Sequence, residues 1–364
     1  MTKNDRVLLH CVLISEIGPA AVYTLLQDSL LKNDLSVLYT ASLKDFTHRW
    51  GLSERIARIF IDGLRDMRIL EKELELLEEN PSLTWISCLS DQYPALLKEI
   101  HQPPIGFYYQ GSLISLASEC LAIVGARKAS HYARRVIDQL VPDLLARNWT
   151  IVSGGAWGVD SMAHQKVVQE AGATVAILGS GLLRLYPQEN IPLFEAIIRA
   201  GGALISPFTL QTPPIPANFP ARNRIISGLS RGCLVVQAAQ KSGALITAHY
   251  ALEQGREVFA VPGPIDDPLS VGCHNLIAQG AKLVGSAEAI FEEFGESIAC
   301  KPVQNSIFDA LPSDSLLSYC DRPVGIEELS KLSGMGYQEL QTKLFGLQME
   351  GMVSQNFAGL WQRL

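Results

Sequence analysis

Residues 120–127 read CLAIVGAR and residues 149–156 read WTIVSGGA, two short apolar runs that each end in a glycine turn. Runs of the same kind recur along the chain as TVAILGSG (174–181), ALISP (203–207), CLVVQAA (233–239), EVFAVPG (257–263) and KLVG (282–285). Apolar strands that alternate with helix-length segments are typical of a parallel sheet covered by helices on both faces. The sequence therefore predicts an α/β fold on a doubly wound, mostly parallel sheet, with ligands bound at the C-terminal ends of its strands.

Segments on either side of these runs predict further parts of the chain. Before the sheet, apolar residues recur at helical spacing, and Gly18-Pro19 joins two of the helices. This hairpin could lay its amides against a phosphate, as helix-hairpin-helix modules do, or could be a tight turn in a small bundle. After the sheet, the order helix, turn, helix and short hairpin fits a winged helix. The expected divisions are a helical domain (1–80), a sheet domain (81–298) that opens with an irregular bridge (81–112), a linker (299–311) and a winged-helix-like domain (312–364).

The composition of the 364 residues indicates a globular, cytosolic protein. Hydrophobic residues make up 48% and charged residues 18%, which suits buried cores. No apolar run reaches membrane-spanning length, and the N-terminus lacks a full signal-peptide pattern. The seven cysteines are scattered without a CxxC pair, so neither a disulfide framework nor a zinc site is expected. Because the formal net charge is −7, nucleic-acid binding would have to be confined to a groove.

Residues 217–247, ANFPARNRIISGLSRGCLVVQAAQKSGALIT, form a cationic island in this acidic chain. Between residues 212 and 256 there are five basic residues and one acidic residue. An aromatic ring such as Phe219 among arginines suits single-stranded nucleic acid, because Arg222 and Arg224 can bind phosphates while the ring stacks a base. The alternative places Phe219 in the core and Arg224 in a surface ion pair.

Glycine turns after the predicted strands offer further phosphate contacts. After the first strand, Gly125 permits a close backbone approach and Arg127 offers a bidentate fork, although an ordinary turn with a solvated arginine is the alternative. After the second strand, Ser153–Gly155 could form a nest of amides for an anion. Two later loops add KSGALITA (241–248), with hydroxyls at Ser242 and Thr247, and VPGPIDDPLSVGCHNLIAQGA (261–281), which leads into a helix through Gly272 and Asn275.

Four other polar residues have structural interpretations. Asp160 is expected to cap the helix that follows it. His164 has no Ser or Cys partner at a known spacing, so a structural hydrogen bond is favoured over a general base. Asp266 and Asp267 could in principle hold a metal, but adjacent carboxylates in a proline-rich loop are expected to be solvated. The sequence predicts no metal site.

Taken together, these motifs resemble the DNA-processing protein A family (DprA, also called Smf). The resemblance covers roughly residues 90–290 and runs in register through YPALLKEIHQPP, IVGAR, SGGAWGVDSMAHQ, VAILGSGLLRLYPQEN, FPARNRIISGLS, SGALITAHYALEQGREVFAVPG and GCHNLIAQGA. Several of these strings are uncommon, so their shared order is highly specific. The helical N-terminus (SAM- or helix-hairpin-helix-like) and the winged-helix-like C-terminus also resemble that family's flanking domains.

This resemblance implies a Rossmann-like core that binds single-stranded DNA without sequence preference and forms a homodimer. It also implies interaction with the RecA recombinase, which the family loads onto incoming strands during natural transformation. No catalytic residue and no cofactor are implied. The family's phosphate pocket uses residues that match Gly125, Arg127, Ser153, Gly154, Phe219, Arg222, Asn223, Arg224, Ser242 and Gly243. The predicted DNA-binding set also includes Ala126, Gly155, Lys241, Thr247 and Asn275.

Three positions depart from the family pattern. The family commonly has Arg where Trp157 stands, Glu where Pro207 stands and Glu where Gln237 stands. One hypothesis is that Trp157 and Gln237 mark the joint loss of an Arg–Glu pair. Another is that Trp157 supplies an additional stacking surface.

Two other functions remain as alternatives. A related Rossmann enzyme that cleaves nucleoside monophosphates (a phosphoribohydrolase) needs a positioned carboxylate beside a glycine-rich phosphate loop. No PGGxGTxxE-like loop is present, and Gln237 is neutral where a strand-end acid could have served. A transcription regulator would rest on the winged-helix pattern alone, and its candidate recognition helix, Tyr337–Gln348, has only one cation, Lys343.

Overall fold

A computed structural model describes residues 1–295, 316–320, 322–349, 353–356 and 359–363. The chain divides into two compact units, Met1–Glu296 and Ser297–Leu364. The expected linker (299–311) and the expected domain boundary at residue 298 lie outside the described residues. No helix in the described part of the chain is long and apolar enough to cross a bilayer. Six of the seven cysteines are described, and five of these (Cys11, Cys88, Cys120, Cys233 and Cys273) are free thiols.

Helices occupy most of the first 80 residues. They are α1 (Lys3–Leu13), α2 (Pro19–Leu26), α3 (Ser29–Asn33), α4 (Glu54–Arg65) and α5 (Met67–Glu79), with a short 3-10 helix (Leu35–Tyr39) and a π-helical turn (Asp45–Arg49) between them. Polar caps explain where some of them begin: Thr2 and Asp5 form a capping box on α1, and Ser53 caps α4. Gly18 precedes α2, and Pro19 occupies its first position.

These helices pack against the sheet and form part of the first unit with it. Phe46 and Phe60 belong to one buried apolar cluster with Trp85 and Leu204 of the sheet. A polar contact fixes the same junction, because the backbone N–H of Leu210 donates to Glu73 Oε1 (2.8 Å). The helical segment therefore shares its core with the sheet.

Nine strands form the central sheet. They are β1 (Leu83–Ser87), β2 (Gly106–Gly111), β3 (Cys120–Val124), β4 (Thr150–Ser153), β5 (Thr174–Ile177), β6 (Ala203–Ser206), β7 (Gly232–Val235), β8 (Glu257–Ala260) and β9 (Lys282–Leu283). Their order is β1-β2-β6-β5-β4-β3-β7-β8-β9. All neighbours from β6 through β9 in this order are parallel, whereas β2 pairs antiparallel with both β1 and β6. The predicted doubly wound, mostly parallel α/β sheet is confirmed.

The prediction of an irregular bridge at residues 81–112 is wrong. This segment contains β1, the short helix α6 (Ala95–Glu99) and β2, which extend the sheet by an antiparallel pair. Its prolines, which suggested irregular structure, lie outside the strands. Aromatic residues form the buried parts of the strands, with Trp85, Phe107 and Tyr108 at most 3% exposed.

Helices cover both faces of the sheet. They are α7 (His131–Ala146), α8 (Val159–Gln169), α9 (Ile191–Arg199), α10 (Asn218–Gly228), α11 (Gly243–Glu253), α12 (Val271–Ala278) and α13 (Ala287–Glu293), with short 3-10 helices at Ile114–Ala117 and Gln188–Asn190. Successive residues of β3 point to opposite faces: Leu121 packs in a cluster with α7, α8 and α13, and Ala122 in a cluster with α10, α11 and α12. Because both faces are covered, the central strands consist mainly of buried apolar residues.

The strand order creates a crevice beside β3. The chain runs from β3 outward through β4 and β5 to β6, and then returns to place β7 on the other side of β3. The connections that leave the C-terminal ends of β3 and β7 therefore diverge. Open α/β sheets bind ligands at such a switch point.

The second unit has a small core of its own. Its described elements are a 3-10 helix (Leu316–Cys320), α14 (Ile326–Ser333), α15 (Tyr337–Met349), β10 (Val353–Gln355) and β11 (Trp361–Arg363). The two strands pair antiparallel, and Leu329, Leu340 and Trp361 are buried together. This order matches the predicted helix, helix and hairpin, while the winged-helix assignment stays a prediction. Lys343, the cation of the candidate recognition helix, pairs with Glu339 (3.4 Å).

Candidate nucleic-acid interface

An open cavity of about 500 Å³ lies at the switch point between β3 and β7. Its walls include the turn after β3, one side of α10 and the first turn of α11, together with residues of the loops after β4, β5 and β6. The predicted site residues that line it are Gly125, Arg127, Phe219, Arg222, Asn223, Ser242, Gly243 and Thr247. Eight positions that are dispersed over about 120 residues of sequence therefore meet in one place.

Other predicted residues lie behind this cavity and hold its floor. The Ser153 hydroxyl donates to the carbonyl of Ile123 (2.5 Å), which ties β4 to β3. The backbone N–H of Ala126 donates to the carbonyl of Gln237 (2.8 Å), joining the turns after β3 and β7. At Gly125 a Cβ atom would lie 2.5 Å from Val159, so only glycine allows α8 to pack this closely.

The predicted anion nest at Ser153–Gly155 holds a carboxylate of the chain itself. The N–H groups of Gly154 and Ala156 donate to Asp160 Oδ2 at 3.1 and 3.4 Å. The prediction that Asp160 caps α8 is wrong, because this helix begins at Val159 and Asp160 lies within its first turn. Asp160 instead reaches back to the glycine loop. Burial raises the pKa of Asp160 to about 6, an effect that the nearby Arg222 charge opposes.

Arg222 is a buried structural cation at the base of the cavity, with only 3% of its surface exposed. Its Nη1 donates to the carbonyls of Gly154 and Ile177, and its Nε donates to Asn223 Oδ1 (3.1 Å). A Cβ atom on Gly154 would lie 2.6 Å from Asp160 Oδ2 and 2.8 Å from the guanidinium, so glycine lets both charges approach the loop. Burial lowers the pKa of Arg222 to about 10, so it remains charged at neutral pH.

Arg224 lies outside the cavity that Arg222 lines, so the two predicted phosphate contacts do not face one space. FPARNR is part of α10, and two residues along an α-helix rotate by about 200°, so the two side chains leave opposite sides. Arg224 Nη2 donates to the carbonyls of His101 and Gln102. It also lines a separate apolar cavity with Gly18, Pro19 and other residues.

Lys241 and Asn275 are exposed, but they are not among the residues that line the cavity. Lys241 immediately precedes Ser242 at the start of α11, whereas Asn275 lies on α12. Asp267 accepts hydrogen bonds from Leu269 N, Ser270 Oγ and Gln237 Nε2, so it shapes its own loop. In the described ranges, no cluster of three or more His, Cys, Asp or Glu side chains could hold a metal.

The Phe219 ring is half-buried and fixed by its neighbours. One part packs over Gly179, where a Cβ atom would lie 2.8 Å from the ring. The guanidinium carbons of Arg127 and Arg222 lie 5.5 and 5.9 Å from its centroid. Arg127 itself is exposed, and no carboxylate within the described ranges forms a salt bridge with it. A cation and a π surface are thus available side by side.

The N-terminus of α11 closes the cavity opposite this ring. Ser242 caps the helix, its Oγ accepting from Ala244 N (3.3 Å), and Gly243 and Ala244 also line the cavity. A helix of 11 residues carries a partial positive charge at this end. This helix end therefore favours negative charge in the part of the cavity that it lines.

Sequence reasoning missed Tyr186, which lines the cavity and connects two other aromatic residues. Its ring makes edge contacts with Phe219 (5.9 Å between centroids) and with Trp157 (5.7 Å). The string LYPQEN carried no composition signal for this role. Gln237 Nε2 donates a hydrogen bond to Ser130 Oγ (2.9 Å), whereas the Trp157 ring contacts Tyr186. The hypothesis that Trp157 and Gln237 replace a lost Arg–Glu pair therefore gains no supporting contact. The other departure, Pro207, lies beside Arg224 in the apolar cavity.

His164 is a buried structural residue, as the sequence analysis favours. Thr174 Oγ1 donates its proton to the Ile151 carbonyl (2.6 Å), so His164 Nδ1 must donate to that hydroxyl (2.9 Å). Nε2 is buried and has no hydrogen-bond partner within the described ranges. Burial therefore lowers the pKa of His164 to about 3.

This arrangement gives an expected pH dependence. The neutral histidine stabilises the folded state fully above its unfolded pKa of about 6.5, and this stability is lost as the pH falls toward 3. When the pH is lowered from 7.5 to 5.0, we expect His164 to reduce the unfolding free energy of the natural chain by about 2 kcal/mol. His164→Gln should remove this loss, as measured by urea titration at both pH values. Asp160 contributes with the opposite sign, but it does so in both proteins. An equal pH dependence in the two proteins would show that His164 is not held neutral.

Comparisons with known proteins identify the family of this chain. The family model of DNA recombination-mediator protein A matches residues 84–295. Protein Smf of Escherichia coli (strain K12) is 40% identical over 313 residues, which cover 84% of this chain and 83% of that protein. DNA processing protein DprA of Bacillus subtilis is 44% identical over 208 residues, or 57% of this chain and 70% of that protein.

Two solved structures are similar as well. DprA from Streptococcus pneumoniae has a TM-score of 0.68 at 34% identity, over 79% of this chain and 97% of that one. DNA processing protein A from Helicobacter pylori, whose structure was described for its single-stranded DNA binding mode, shares the fold with a TM-score of 0.53 at 24% identity, over 59% of this chain and 96% of that one. The resemblance found in the sequence is confirmed, and the chain belongs to the DNA recombination-mediator protein A (DprA/Smf) family.

Proposed function

We propose that this chain binds single-stranded DNA without sequence preference and acts as a recombination mediator, loading RecA onto incoming strands in natural transformation. The observation that carries the binding proposal is the switch-point cavity, where the Phe219 ring, the exposed Arg127 and the N-terminus of α11 face one space. Membership of the family supports it, as does the described ability of the Helicobacter pylori protein to bind single-stranded DNA. The RecA contact and a homodimer follow from the family resemblance.

The cavity would bind the phosphate and the base of one nucleotide at two different places. A phosphate would bind between the Arg127 guanidinium and the first-turn amides of α11, where a cation and a helix dipole both favour negative charge. The attached base would stack on Phe219, and every base has a π face, so this contact tolerates any sequence. Arg222 would act on the DNA indirectly, by holding Phe219, Asn223 and the Gly154 loop in place.

An enzymatic role is the alternative and is less well supported. Hydrolysis of a nucleotide at its glycosidic bond needs a carboxylate that is free to act on the ligand. Asp160 is the carboxylate that lines the cavity, and it is occupied by the amides of Gly154 and Ala156. We therefore propose a binding protein without catalytic residues.

A salt series tests the phosphate half of this proposal. Affinity for an oligo-dT of about twenty nucleotides should fall with salt, and Arg127→Gln should reduce the log–log slope by about 0.7, the contribution of one phosphate contact to a single strand. Arg65→Gln, the same charge change at an exposed position on α4, is the matched control and should leave the slope unchanged. Fluorescence anisotropy between 50 and 300 mM salt measures both. Equal slopes for the natural chain and Arg127→Gln would show that Arg127 does not contact a phosphate.

Replacing Phe219 tests the base half. Phe219→Leu keeps an apolar side chain over Gly179 but removes the ring, so binding should weaken by about 1–3 kcal/mol while the salt slope is retained. Phe219→Tyr keeps the ring and should bind like the natural chain. The natural chain and Phe219→Tyr should each bind thymidine monophosphate far more weakly than they bind the oligonucleotide. Mononucleotide binding as tight as that of the oligonucleotide, or release of free base, would favour the enzymatic alternative.

A further inference from the structure

Three aromatic rings form a continuous row that leads out of the cavity. Phe219 and Tyr186 line the cavity, and Trp157, which is not among the lining residues, contacts Tyr186; successive centroids are 5.9 and 5.7 Å apart, and the ring planes are inclined by 62° and 66°. Trp157 is 38% exposed, whereas the other four tryptophans are between 2% and 6% exposed. A large apolar ring that remains in water beside a ligand cavity is typical of a binding surface.

The backbone that carries Trp157 is fixed on both sides. Gly155 and Gly158 flank the turn with φ values of +63° and +78°, which favour glycine. Asn190 Nδ2 donates to the Gly155 carbonyl (2.9 Å) and to Ser161 Oγ (3.0 Å), and Ser161 Oγ donates to the Ala156 carbonyl. The backbone beneath the indole is therefore held in position and Tyr186 contacts one edge of the ring, which reduces the entropy cost of stacking on it.

We infer that Trp157, supported edge-on by Tyr186, is a second base platform, on which the base of a neighbouring nucleotide stacks while the first occupies Phe219. The ligand class is thus a single strand of at least two nucleotides with intact bases. This inference rests on the proposed function and deepens it, because it assigns a base contact outside the cavity. It also gives a physical use to a tryptophan that the fold alone leaves in water.

The test distinguishes the effect of the aromatic ring from that of side-chain size, and contacts to the DNA bases from contacts to the DNA backbone. Trp157→Leu removes the ring, and Trp157→Phe retains a smaller one. Each full-length protein is titrated with oligo-dT of about twenty nucleotides and with an abasic strand of equal length, made of deoxyribose phosphate units without bases. Trp157→Leu should bind oligo-dT about five- to a hundredfold more weakly than the natural chain, and Trp157→Phe should recover most of this loss. All three should bind the abasic strand alike.

A second readout reports on the ring directly. Acrylamide should quench the fluorescence of the exposed Trp157 in the free natural chain, and bound oligo-dT should reduce this quenching. In Trp157→Phe only the buried tryptophans remain, so oligo-dT should change acrylamide quenching little. Unchanged oligo-dT affinity of Trp157→Leu, or an equal loss on the abasic strand, would overturn this inference and leave the proposed function intact. A natural chain that binds no single-stranded DNA at all would overturn both. Thermal unfolding of each variant shows whether a loss of binding reflects a loss of fold.

Discussion

Replacing Arg222 with methionine is expected to lower the free energy of unfolding by about 3–5 kcal/mol, the range measured when one partner of a buried charge interaction is removed. The guanidinium is 3% exposed and supplies hydrogen bonds to the carbonyls of Gly154 and Ile177. Without it, both buried acceptors lose a donor and the Asp160 carboxylate loses its nearby positive charge. Methionine retains much of the side-chain volume, so most of the effect should come from charge and hydrogen bonding.

The matched control is Arg127→Met, because Arg127 is exposed and belongs to the same cavity. It should lose DNA affinity while its urea midpoint stays close to that of the natural chain. The double variant Arg222→Met/Asp160→Asn should regain part of the stability, since it no longer buries an uncompensated carboxylate. Urea titrations at pH 7 measure all of these variants. A loss below about 1 kcal/mol in Arg222→Met would instead show that the hydrogen bonds of Arg222 to the Gly154 and Ile177 carbonyls are not needed for stability.

This contrast between arginines shows where sequence reasoning reached its limit. The sheet was predictable because the strands β3 to β7 are buried along their whole length between the clusters on the two faces and read as mainly apolar runs. The cavity was predictable in outline, because the C-terminal ends of such strands lie at one edge and several of these runs end in Gly or Ser. Arg222 and Arg224 were grouped by sequence proximity, but α10 separates them by helical rotation.

The remaining errors have a similar physical origin. The glycine loop after β4 does form an anion-binding nest, but the anion is Asp160, six residues further along the chain than Gly154. No local pattern distinguishes a nest for a ligand from one for an internal carboxylate. Tyr186 joins the site through a loop after β5, and only the tertiary fold brings it between Trp157 and Phe219. Residues that act through such contacts have no periodic or compositional signature.

Gly243→Glu is expected to abolish single-stranded DNA binding without harming the fold. Gly243 is the first residue of α11, it is exposed, and a Cβ atom there would meet no heavy atom within 4 Å. A glutamate should therefore be accommodated, and an acidic side chain in the first helical turn is mildly stabilising. Its carboxylate would lie in the cavity where we place the phosphate. Two unit charges 4 Å apart repel by about 4 kcal/mol near a protein surface, which corresponds to a loss of affinity of more than a hundredfold.

Two further variants separate the effect of the charge from the effects of side-chain bulk and of position. Gly243→Gln has nearly the same shape without the charge, so it should bind much more tightly than Gly243→Glu and reveal the steric part alone. Gly285→Glu makes the same charge change at another exposed glycine with open space around its Cβ position, and it should bind like the natural chain. Anisotropy titration with oligo-dT at constant salt, together with thermal unfolding, measures the set. Near-natural affinity of Gly243→Glu with an intact fold would mean that DNA does not place a phosphate at the N-terminus of α11, and the strand would have to be sought on another surface.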